Sequence, residues 1–143
     1  MELQTSPAIQ EDRFSLSIPA SIEQITTARV FCSTLARHLD EGEEFVEDIK
    51  LVVSEGCSLA IDEGASGPIL LEIVVTAHEL LLQMEFMPST PGERIPDSGP
   101  ARAGPRLTRL DVVNGLFPGA RVERLGERAV LRVSAPRTAP LGS

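Results

Sequence analysis

Any chemistry in this chain has to begin with a few oxygen-bearing side chains. The stretch DIKLVVSEGCSLAID, residues 48–62, reads as a helix and carries Glu55. Side chains four residues apart lie one turn apart on one helix face, so two oxygen donors at that spacing can share an ion. Four residues beyond Glu55 stands Leu59, which offers only carbon to a hard cation. A lone helix glutamate reads first as a solvated or paired charge and second as a catalytic group. Asp97, in DSGPA, reads by itself as part of an ordinary turn. His38 and His78 have no partners at metal-ligand spacing. Cys32 and Cys57 lack a CxxC arrangement and sit in apolar helical patterns, which reads as buried thiols in a reducing cytoplasm.

The elements that would position these residues follow from periodicity. Residues 13–18 (RFSLSI) alternate as a short strand that Pro19 ends. SIEQ, from Ser21 to Gln24, has the form of a capping box. Behind it Ile22, Ile25, Ala28, Cys32, Leu35, Ala36 and Leu39 keep helical spacing to about residue 39. A second helix is expected over 43–62, with acidic residues in its first turn, where the helix dipole favours them. Its core-facing residues are Phe45, Ile49, Val52, Val53, Gly56 and Ala60. Apolar runs at 69–76 and 80–87 predict a hairpin of central strands. Residues 88–106 are rich in Pro and Gly and support no regular element. A short helix over 107–117 and two strands, 120–125 and 128–134, complete the chain.

That order is β-α-α-β-β-loop-α-β-β. The economical arrangement is an α+β two-layer sandwich, with helices on one face of a mixed, mostly antiparallel sheet. Residues 13–134 read as one domain, with flexible ends at 1–12 and 135–143. The 143 residues suffice for one core, supplied by aliphatic side chains because there are five Phe and no Trp or Tyr. A net charge of -8 argues against nucleic acid, whose binding needs a cationic surface. Residues 1–12 have no apolar run that would make a signal peptide, and no stretch approaches ~18 consecutive apolar residues. A cytoplasmic protein away from the membrane is the expectation.

Within this frame the sequence resembles the anti-sigma factor kinases of the GHKL superfamily, which have the histidine-kinase-like ATPase fold. The resemblance covers about residues 13–134 and is strongest in ARVFCSTLARHLD (28–40) and EDIKLVVSEGCSLAI (47–61). In that family the second stretch carries a glutamate and, one turn on, a magnesium-binding asparagine. Glu55 matches the glutamate, and Leu59 replaces the asparagine. The family's DxGxG motif, which recognises adenine, falls in register on FMPST (86–90) and has none of its required residues there. Asp97 and Gly99 are the substitutes further along. The phosphate-cradling GxGL motif retains only Gly104, with Pro105 removing a backbone donor.

The resemblance implies a protein that binds a sigma factor and blocks its use by RNA polymerase, until an anti-anti-sigma protein of the STAS type competes. Arg29 matches the family's sigma-contacting arginine on the first helix, with Glu23, Gln24 and Thr27 as polar neighbours. Ile25 stands where the family has an acidic contact. With three nucleotide devices degraded, the reading is a stoichiometric binder with no bound cofactor. The alternatives are an active serine/threonine kinase that uses ATP and Mg2+ to phosphorylate its antagonist, and a regulatory domain with a partner other than sigma. The family also suggests a homodimer.

Overall fold

The computed structural model describes residues 11–89 and 108–138. The chain runs through β1 (Asp12–Ile18), a single 3-10 turn (Ile22–Gln24), α1 (Ile25–Arg37), α2 (Glu43–Asp62), β2 (Ile69–Val75), β3 (Glu79–Phe86), α3 (Arg109–Leu116), β4 (Arg121–Leu125) and β5 (Arg128–Pro136). The strands form one sheet in the order β1-β2-β3-β5-β4. Every pairing among the described residues is antiparallel, so the sheet is simpler than the mixed one expected. The helices cover one face, and the architecture is the two-layer α+β sandwich.

Alternation along the strands decides which face is covered. In β3, Leu80, Leu82, Met84 and Phe86 are buried, while Glu79, Leu81, Gln83 and Glu85 between them are half-buried. Registered beside them, Leu71 and Ile73 of β2 and Ala129, Leu131 and Val133 of β5 extend the same core. The opposite face carries a polar row across all five strands. Arg13 donates to Glu72 at 3.3 Å and Gln83 donates to Glu72 at 3.4 Å. Arg132 donates to Gln83 and, at 2.7 Å, to Glu123, which also accepts from Arg121 at 2.6 Å. Long side chains laid across the strands in this way let that face meet water while their stems cover apolar neighbours such as Val130.

Helix α2 is the central element and spans the residues expected of it. Gly64, in the left-handed region at φ +69, ends it. The amide of Ala65 donates to the Ala60 carbonyl at 3.0 Å and that of Gly64 to Ile61 at 2.9 Å, a Schellman closure. A Cβ at Gly64 would also come within 2.5 Å of Ser89 Oγ. Midway along α2, Gly56 passes close over β3 and β5. A Cβ there would collide with the Met84 sulfur and lie 3.0 Å from Leu131 Cδ2.

The entry to α1 departs from the expected capping box. Ser21 precedes the 3-10 turn and its side chain makes no cap; the backbone amide of Gln24 donates to the Ser21 carbonyl at 3.0 Å instead. The tighter turn shifts the phase of the residues before α1. Ile22, placed by spacing on the core stripe, is therefore 72% exposed. Phe45, also expected in the core, packs against it only partly buried. At the other end of the chain β5 continues to Pro136, and Ala135, read as the start of a loose tail, is fully buried.

Candidate functional site

On α2, Glu55, Leu59 and Asp62 are spaced by four and then three residues, which places them on one face of the helix. That face meets α3. The first residue of α3, Arg109, donates from Nη1 to Glu55 Oε1 at 3.0 Å and from Nε to Asp62 Oδ2 at 2.8 Å. The hydrogen bond to Asp62 pushes the guanidinium pKa further above its ordinary value; partial burial opposes this and Glu55 reinforces it. Thr108 fixes where α3 begins. Its hydroxyl accepts from the Asp111 amide at 3.0 Å, and Asp111 accepts from the Thr108 amide at 3.0 Å, a reciprocal capping box.

Leu59, between the two carboxylates in sequence, is 4% exposed and belongs to the hydrophobic core. Glu55 keeps its side chain 21% exposed, with Arg109 as its ion-pair partner. These residues do not fit a divalent cation held by positions 55 and 59. One position presents packed methyl groups, and the glutamate already faces a fixed positive charge. Among the described residues no group of three or more His, Cys, Asp or Glu could hold a metal ion. Asp97, Gly99 and Gly104 lie outside the described residues.

The second candidate surface is α1. Arg29, Glu23 and Thr27 are all exposed. Gln24 is half-buried, and its Oε1 accepts from the Thr27 hydroxyl at 3.1 Å. Arg29 has no ion-pair partner among the described residues. Val30 beside it is 58% exposed, and Ile22 is more so. No hydrogen bond or ion pair among the described residues joins Glu55, on α2, to any of these four residues, which lie on the 3-10 turn and α1.

Asp62 and Arg109 were not among the sequence candidates. Asp62 was findable, because it lies two turns from Glu55 on the same face. Arg109 was not, because its partners are 47 and 54 residues away. The cysteines carry no site chemistry: burial pushes the thiols of Cys32 and Cys57 up to about 12, with Cys57 adding to the effect on Cys32. An open cleft beside the end of β1, lined by Ile18, Pro19, Ala65 and Pro68 among others, contains no titratable side chain. No helix among the described residues is long and apolar enough to cross a membrane.

Neither a protein-family model nor a curated protein sequence matches this chain. Among solved structures, it is similar to the crystal structure of the RsbU and RsbW domains of Rv1364c from Mycobacterium tuberculosis. The TM-score is 0.66 at 12% identity, over 90% of this chain, and the match spans 33% of the length of that chain. A likeness at that identity is one of fold. The chain therefore has the two-layer fold found in that RsbU and RsbW structure, which fits the resemblance read from its sequence.

Proposed function

We propose that this chain is a regulatory binding module of the anti-sigma type. It holds a sigma factor on the exposed face of α1, gives it up to a competing anti-anti-sigma partner of the STAS type, and does so without ATP. The observation that carries this reading is the surface of α1, where Arg29 is exposed without an ion-pair partner among the described residues, next in sequence to the exposed Val30, with the exposed Ile22 in the 3-10 turn that leads into the helix. Apolar contacts around an arginine are what the centre of a protein interface is built from. Arginine suits an acidic partner surface because its planar fork pairs with a carboxylate through two hydrogen bonds and stays charged. The shared fold with a structure containing an RsbW domain supports the same reading.

Glu55 contributes in this scheme to the scaffold, through Arg109. Binding requires a complementary surface and no bond cleavage, so it survives the loss of an oxygen donor at position 59.

The test is co-purification with the sigma factors of the native cell, comparing the unaltered chain with Arg29→Glu and Glu55→Ala. A sigma factor should be retained by the unaltered chain and by Glu55→Ala. Arg29→Glu should weaken its binding by about 30-fold or more, the scale of an interface hot spot. Retention that depends on Glu55 and ignores Arg29, or retention of no sigma factor at all, overturns the proposal.

A further inference from the structure

Helix α3 has only eight residues, too few to be stable on its own in water. It packs chiefly on α2, and its apolar anchoring is thin: Val113 is its one buried side chain, with Leu110 and Leu116 partly buried and Phe117 just beyond its end. Its first residue is an arginine. A cation at a helix N-terminus meets the positive end of the helix dipole, so Arg109 is placed against local preference. Asp111 in the same turn offsets part of that cost. The larger compensation comes from α2, where Glu55 and Asp62 both accept hydrogen bonds from the one guanidinium. Those carboxylates are two turns apart, about 10 Å along the axis, so Arg109 bridges the length of face on which Leu59 sits.

We propose that Arg109 is a built-in cationic latch, its guanidinium bridging Glu55 and Asp62 so that the N-terminal end of α3 docks on α2 without a metal ion or nucleotide. The positive charge that these carboxylates require is supplied by the chain itself. Arg109 thereby ties the N-terminal end of α3 to α2 through groups of this chain alone. The bridge is partly open to water, since the side chains of Arg109 and Asp62 are both more than a third exposed, so mobile ions can weaken it.

Hydrogen exchange read by mass spectrometry on the full chain tests this. Arg109→Gln should speed exchange of the α3 amides about tenfold while α1 and the sheet keep their protection. The double variant Glu55→Gln/Asp62→Asn should do the same from the other side of the bridge. In the unaltered chain, raising NaCl from about 0.05 M to about 1 M should also speed exchange in α3 alone, which decides the matter even where a variant folds poorly. Magnesium with a non-hydrolysable ATP analogue should leave α3 unchanged. Exchange in α3 that ignores salt and Arg109→Gln, or that slows when magnesium and the analogue are added, overturns the latch. Neither outcome bears on sigma binding through Arg29.

Discussion

Glu41 and Arg137, 96 residues apart in the chain, form an ion pair whose side chains are 2% and 9% exposed. Arg137 Nε donates to Glu41 Oε2 at 3.2 Å, and its Nη1 donates to the Thr76 carbonyl at 2.7 Å. Glu41 Oε1 also accepts from the amide of Thr138 at 2.8 Å and from its hydroxyl at 3.0 Å. The link between α1 and α2, the β2–β3 turn and the end of β5 are thus tied at one point. Removing one partner strands a buried charge, so Glu41→Ala should cost about 3–5 kcal/mol in urea unfolding. The apolar double variant Glu41→Leu/Arg137→Met should cost clearly less. Equal losses in the two variants would contradict this assignment.

Gly56 makes a second prediction. Its lack of a Cβ lets α2 lie directly on Met84 and Leu131. Gly56→Ala normally favours a helix, yet here the added methyl enters a filled space, which costs about 1–3 kcal/mol. A lowered urea midpoint with an unchanged slope is expected. A midpoint equal to or above that of the unaltered chain would show that Met84 yields more freely than its burial suggests.

Two carboxylates should act oppositely on stability as pH changes. Hydrogen bonds from Arg121, then Arg132, hold the Glu123 carboxyl below the ordinary range. The unfolded chain then binds more protons in that window, so stability is lost as pH falls below about 4.3 toward the folded value. Asp48 is raised by partial burial first, then by Glu44 and Glu47. Its folded form holds the proton longer, so stability falls as pH rises through that value. Glu123→Gln should flatten the acid side of the stability profile. Asp48→Asn should add about 0.2–0.5 kcal/mol at neutral pH by relieving a like-charge pair one turn apart on α2, and nothing in acid. Urea midpoints across the pH range check both signs.

Placing an oxygen at position 59 should not create a metal site. Leu59 is packed in the core, so Leu59→Asn loses apolar burial and leaves an amide short of partners, at about 2 kcal/mol or more. Thermal unfolding with and without magnesium should show a lowered midpoint and no shift from the metal. A magnesium-dependent rise in that variant would mean that Glu55 is free to leave Arg109.

Sequence periodicity identified α2 without adjustment and the strands to within one or two residues, because their apolar patterns are long and bounded by Gly and Pro. It failed where a local device changes phase or where partners are remote. Ile22 kept helical spacing in sequence, but the 3-10 turn rotated it out to solvent. The cap of α3 is legible as Thr108 and Asp111, three residues apart. Arg109 and Arg137 carry no local signal: each is defined by carboxylates that only the tertiary fold brings close. Leu59 offers only carbon, as its residue type says, whereas its membership of the core is visible only in three dimensions.

Calorimetric titration of the full chain with Mg-ATP addresses the central claim most directly. The account predicts no saturable heat up to millimolar nucleotide, with the same flat response from Glu55→Ala. Saturable micromolar binding that Glu55→Ala abolishes would contradict it, because Glu55 would then be serving a ligand that the Arg109 bridge and the packed Leu59 should exclude.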